Sequence, residues 1–138
     1  MIDMSTAAGA RAMERLRTEL IAWLTTVTAE GQPQSSPVWF LWEDGEIVVC
    51  SLATTPRVRN LRADPRVAVN LNSDHEGGDI VTLEGEARVV DHQLPPATEA
   101  AYRGKYDAKI DDYGWTWESF RRDYPVVVRI RPTRVRLG

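Results

Sequence analysis

The chain has 138 residues, enough for a hydrophobic core without covalent staples, and its 17 basic and 20 acidic side chains leave a net charge of -3. That balance argues against a nucleic-acid binder, which needs a strongly basic face. The single cysteine excludes an intrachain disulfide framework and any multi-Cys metal centre, and two histidines cannot build a three-His metal site. No run approaches the roughly 18 apolar residues of a membrane span, and the amino terminus lacks a signal-peptide core. The reading is one soluble, cytoplasmic domain over residues 1–138, with no nucleic acid, membrane or metal as partner.

In chain order, Ala8, Ala12, Leu16 and Leu20 recur every four residues and predict a helix from Ala7 to Leu20. Trp23–Thr28 and Ser35–Trp42 are rich in β-branched and aromatic residues and flank the turn sequence Glu30-Gly31-Gln32-Pro33. Asp44-Gly45 is a type I′ hairpin signal, and Ile47–Ser51 is its return strand. Thr55 as N-cap and Pro56 at the first helical position start a short helix that Pro65 stops. Arg66–Leu71 reads as a strand, and Asp74–Asp79 with Gly77-Gly78 as a turn. Ile80–Val90 alternates apolar and polar residues around Gly85, a candidate bulge. Pro95-Pro96 opens a helix to about Tyr106, and a short helix follows at Trp117–Asp123. Val126–Arg131 and Thr133–Leu137 read as two strands parted by Pro132. Seven antiparallel strands with short helices between them predict a mostly β fold, a closed or nearly closed barrel.

Ser35–Trp42 is apolar on both faces, with Val38, Phe40 and Trp42 on one side and Pro37, Trp39 and Leu41 on the other. Such a strand needs a second cover, either a flat ligand or a second copy of the chain, the preferred reading, unless it is buried beneath the helices. The start of the Pro56 helix offers free backbone N–H groups to an anion. Ser51, Thr54 and Thr55 add hydroxyls, and Arg57, Arg59 and Asn60 add planar donors. All but two of the basic residues are arginine, the exceptions being Lys105 and Lys109. Arg129, Arg131, Arg134 and Arg136 read mainly as a solvated face. His75 and His92 read as surface imidazoles, Cys50 as a small core residue and Asp111-Asp112 as a solvated turn. No Gly-x-Ser-x-Gly, Gly-x-Gly-x-x-Gly or Walker-type loop is present. An anion grip beside an aromatic wall, without an acid–base constellation, suits a redox cofactor that brings its own chemistry.

These motifs, in order, are Thr26-Val27-Thr28 with Gly31-Gln32-Pro33, Ser36-Pro37-Val38-Trp39-Phe40, Asp44-Gly45 and Ser51. Thr55-Pro56-Arg57 with Asn60-Leu61, Asp64-Pro65-Arg66-Val67-Ala68 and Leu83-Glu84-Gly85-Glu86-Ala87 follow. The set resembles the pyridoxamine 5′-phosphate oxidase-like, FMN-binding split β-barrel superfamily, and within it the small F-420-dependent flavin/deazaflavin oxidoreductases of mycobacterial type. The resemblance implies a homodimer with cofactor sites built from both chains. It implies that Pro37, Val38, Trp39 and Phe40 back the deazaflavin ring, that Ser51, Thr55, Arg57 and Asn60 hold the phosphate and its tail, and that Arg134 reaches in from the partner. FMN-dependent oxidases of the superfamily carry Arg-x-x-x-Lys on the strand that grips the phosphate. Pro37–Leu41 holds no basic residue, so the likeness points away from vitamin B6 oxidation and toward F-420. FMN or FAD reduction of a small acceptor, and storage of a flavin or haem without turnover, are the alternatives. Tyr113, Trp115 and Trp117 are the candidates for lining the acceptor side, with at least one of them expected to pack under the barrel instead.

Overall fold

The computed structural model describes residues 2–90 and 93–138. In chain order it contains α1 (Ala7–Thr18), β1 (Ala22–Val27), β2 (Pro33–Val38), β3 (Leu41–Glu43), β4 (Glu46–Ser51) and α2 (Pro56–Ala63). β5 (Arg66–Leu71), β6 (Val81–Val90), α3 (Pro96–Asp112), α4 (Trp117–Asp123) and β7 (Val126–Leu137) complete it. The seven strands form one sheet in the order β2-β1-β5-β6-β7-β4-β3, antiparallel throughout.

The edge strands β2 and β3 are separated in the chain by Trp39 and Phe40 alone. Three backbone steps span at most about 11 Å, so the sheet must curl until its two edges nearly meet. The expected single strand Ser35–Trp42 is therefore two: it leaves β1 at Val38, crosses the seam and pairs with β4 from Leu41. The crossing removes Phe40 from both ladders, and α3 replaces what the sheet withdraws. Tyr106 Oη accepts the Phe40 N–H at 2.8 Å, and Lys105 Nζ donates to the Phe40 carbonyl at 2.8 Å. Burial of Phe40 leaves water no role there.

At the other end, Val126–Leu137 is one continuous strand, where Pro132 suggested two. Pro132 lies opposite Gly85, at a register shift between Glu84 and Gly85 that accommodates its missing donor. A side chain at position 85 would begin 2.5 Å from the Arg131 carbonyl oxygen, so the bulge requires glycine. The hairpin turn has positive φ at both Asp44 (52°) and Gly45 (74°), as a type I′ turn demands. Helix α1 ends at Thr18 and buries Gly9, Ala12, Arg15 and Leu16, leaving Ala8 outside the expected apolar face.

Two cores result. The first fills the curl with Phe40, Ile47, Val49, Val69, Leu83 and Val128, closed by Leu16 of α1 and by Val58 and Leu61 of α2. The second lies outside the sheet, where Leu41, Val48, Cys50 and Val127 meet Tyr102, Tyr106, Ile110, Trp117 and Phe120 of α3 and α4. Helix α3 runs two turns past the expected end at Tyr106, and that extension carries Ile110 into this core. The second face of the Val38–Trp42 segment is thus largely covered within the chain. Leu41 and Trp39 lie under α3 and α4, which corrects the preference for a second copy as their cover, while Pro37 stays exposed.

Candidate functional site

A cavity of about 380 Å³ opens where the β2–β3 seam, the end of β4 and the α3–α4 connection converge. Pro37, Val38 and Trp39 form its floor; Tyr113, Trp115, Phe120 and Tyr124 form an aromatic wall; Leu52, Thr55 and Arg57 form the third side. Trp39 is fixed from behind. Its indole stacks on Tyr106 with centroids 4.7 Å apart and planes 7° from parallel, and Phe120 lies 5.5 Å away. Tyr106 is anchored in turn, since its hydroxyl donates to the Leu20 carbonyl at 2.7 Å and accepts from Phe40. Burial pushes the Tyr106 and Tyr102 hydroxyls well above the usual phenol range and the Cys50 thiol up to about 11. All three stay protonated at neutral pH.

Arg57 stands at the polar end. One terminal nitrogen donates to Ser36 Oγ at 2.8 Å and the other to Ser51 Oγ at 3.3 Å, while its Nε is buried without a partner. No carboxylate pairs with it among the described residues, and burial lowers its pKa. Ser51 Oγ lies 3.4 Å from Thr55 Oγ1, and Thr55 makes no side-chain cap to α2, so the first N–H groups of that helix keep their donor capacity. A second, hydroxyl-rich hollow of about 470 Å³ lies on the far side of Arg57, lined by Thr26, Gln34, Ser35, Ser36 and Thr55. A half-buried cation held only by hydroxyls, with a helix start beside it, has the donor set that an anion site requires. The adjoining aromatic wall fits the flat ring to which such an anion would be attached.

The pyridoxamine 5′-phosphate oxidase family model matches residues 9–137. The chain belongs to that family. Solved structures of similar fold include an F420 reductase (21% identity, TM-score 0.69, 89% of this chain and 94% of that one). The haem storage protein HutZ from Vibrio cholerae (16%, 0.70, 96% and 95%) and an FAD-binding protein from Mesorhizobium loti (21%, 0.63, 94% and 91%) are also similar. No curated protein matches. The fold is the family's split barrel, and proteins of similar fold serve different cofactors.

In this family member, Pro37, Val38, Trp39, Thr55 and Arg57 line the same cavity. Ser51 is fully buried and touches it through Arg57. Phe40 faces the inner core behind the floor. The Asn60 amide nitrogen donates to Thr26 Oγ1 at 3.0 Å and Gln34 Oε1 at 2.9 Å, tying α2 to β1 and β2. Arg134 is exposed on β7, opposite Glu84, and lines neither hollow. Tyr113 and Trp115 join the cavity wall, whereas Trp117 is buried against Tyr102 and Phe120. His75 is exposed in its turn, and His92 lies outside the described residues. Sequence reasoning missed Leu52, Phe120 and Tyr124 in the lining and Lys105 and Tyr106 behind it. Tyr102, Tyr106 and Ile110 do recur at helical spacing, the one signal that marked α3 as a cover for the sheet.

Proposed function

We propose that the protein binds coenzyme F-420 with its ring against Trp39 and its phosphate at Arg57, and acts as an oxidoreductase on an electron-poor small molecule. Arg57 carries this reading: a partly buried guanidinium whose terminal nitrogens meet only hydroxyls, with no carboxylate partner among the described residues, gains a charged partner when an anion arrives. The reduced deazaflavin, when bound, supplies the hydride. Trp39, locked by Tyr106, gives the ring a rigid face, and Phe120 and Tyr124 keep water from the inner wall. Among the described residues no carboxylate or imidazole lines the cavity, and the Cys50 thiol stays protonated, so the proton that accompanies the hydride comes from solvent. A second copy of the chain seated near exposed Pro37 and Trp115 would complete the site, with Arg134 arriving from that copy. The protein would act in the cytoplasm.

The missing acid–base group also favours a second reading, a flavin- or haem-carrying protein without turnover, on which the same cavity holds its cargo. FMN or FAD would take the same anion seat, although the seam strand lacks the basic pair that FMN oxidases use there. Parallel fluorescence titrations with F-420, FMN, FAD and haem separate these. Micromolar F-420 binding, weakened at least about tenfold by Arg57→Ala, is the expected result, a loss of about 1.4 kcal/mol. Preference for another cofactor, or an unchanged affinity in Arg57→Ala, refutes the assignment.

A further inference from the structure

The cavity floor belongs to a chain of aromatic rings whose exposed end is Tyr113 and Trp115. Trp39 is half-buried and stacks on Tyr106, with centroids 4.7 Å apart. Tyr102 lies 5.0 Å beyond Tyr106, and Trp117 6.0 Å beyond Tyr102. Trp39 also neighbours Tyr113 and Trp115, each with its centroid 6.3 Å away, and these two lie 4.9 Å from each other. Neighbouring rings exchange an electron readily, because the coupling between two π systems falls steeply with their separation. The two branches differ in what becomes of a proton. A tyrosine that gives up an electron must also shed its phenolic proton, since the oxidised phenol is a strong acid. Tyr102 and Tyr106 are fully buried, and the Tyr106 proton meets only the Leu20 and Phe40 carbonyls, which are poor bases. Of the four tyrosines, Tyr113 alone is exposed, at 57%, and water takes its proton.

We propose that Tyr113 drains oxidising equivalents from Trp39 to solvent, a protective activity that spares the cavity floor when a one-electron oxidant, such as an oxygen-centred radical, arises in the cavity. The oxidant takes one electron from Trp39, and the indole N–H proton leaves to water. Tyr113 then supplies an electron to the indolyl radical and its phenolic proton to water, while the indole nitrogen regains a proton from water. The transfer runs this way because a solvated phenol is the more easily oxidised of the two at neutral pH. The phenoxyl radical stands at the surface, where a dissolved thiol returns a hydrogen atom and becomes a thiyl radical. Trp115 neighbours both rings and feeds the same exit. The path uses the chain's own rings alone and does not rest on the F-420 reading.

The test is oxidation by azide radicals, which attack indoles selectively and are generated by radiolysis in azide solution saturated with nitrous oxide. Oxidation products at Trp39 are quantified by peptide mass spectrometry in the parent, in Tyr113→Phe and in Tyr124→Phe. Tyr113→Phe keeps the ring that shades Trp39, removes only the oxidisable hydroxyl and melts within about 2 °C of the parent. Support is Trp39 oxidation at least about threefold higher in Tyr113→Phe and within twofold of the parent in Tyr124→Phe. Pulse radiolysis gives the direct reading. In the parent, indolyl absorbance decays as phenoxyl absorbance grows, at a rate independent of protein concentration, and Tyr113→Phe abolishes that growth. The proposal is overturned if Trp39 oxidation in Tyr113→Phe stays within twofold of the parent, since Tyr113 is then a shield and not a donor. It is also overturned if Tyr124→Phe raises Trp39 oxidation as much, or if phenoxyl growth persists in Tyr113→Phe, since the exit then lies elsewhere.

Discussion

Tyr106→Phe removes one oxygen and changes nothing else in shape. That oxygen accepts the Phe40 N–H at 2.8 Å and sends its proton to the Leu20 carbonyl at 2.7 Å, with the Phe40 carbonyl at 3.0 Å. Lys105 still covers the Phe40 carbonyl in the variant, so the loss falls on the Phe40 N–H and on Leu20. Phe40 and Tyr106 are both fully buried, and no solvent replaces the missing acceptor. An orphaned buried donor costs about 1–3 kcal/mol and the lost Leu20 bond about 1 more. The expected destabilisation is therefore about 2–4 kcal/mol, a large share of the 5–15 kcal/mol typical of a domain. At this chain length it lowers Tm by roughly 10 °C. Urea unfolding followed by far-ultraviolet circular dichroism measures it, and the m-value should hold because the surface exposed on unfolding is the same. A loss under about 1 kcal/mol would refute the claim that this hydroxyl holds the seam between β2 and β3.

Three further outcomes follow from the same geometry. Burial holds the Lys105 ammonium at about 8, below its ordinary 10.5, so between these values the unfolded chain binds more protons and stability rises with pH. The stability of the parent relative to Lys105→Met should therefore climb from about pH 8 toward 10, while contributions from Cys50 and the tyrosines cancel in the difference; a flat difference contradicts this. Gly85→Ala puts a Cβ 2.5 Å from the Arg131 carbonyl and 3.1 Å from Pro132 Cα, and thermal melts should register a loss of about 2–3 kcal/mol. Asn60→Ala strips two hydrogen bonds from a buried site and should cost about 1–2 kcal/mol in chemical denaturation.

Where a few neighbouring residues decide the backbone, the sequence is readable. Asp44-Gly45 sets its turn, Thr55-Pro56 and Pro65 bracket α2, and Gly85 marks its bulge. The seam was not readable. Val38 to Trp42 has unbroken strand propensity, and only the closure of the sheet on itself takes Trp39 and Phe40 out of the ladder. Pro132 misled for a related reason, because the residue that lets it sit inside a strand is Gly85, 47 positions away and on another strand. The donors gathered around Arg57 were legible because Ser51, Thr55 and Arg57 lie close together in the chain. The aromatic wall was not, because α3 and α4 meet the seam only in the folded chain.

The order of the strands leaves β2 paired on one side alone, with β1. Pro33 and Pro37 share the parity of Ser35 along that strand, and neither proline has a hydrogen to give. A proline in a sheet is tolerated where its nitrogen faces away from the ladder, so of the three outward positions only Ser35 retains a donor. A strand added at this margin would find one outward donor where three are normal, and the rim is shielded from runaway fibre-like growth. A second molecule that settles beside the cavity therefore grips it chiefly through side chains, in a contact that can be tuned one residue at a time.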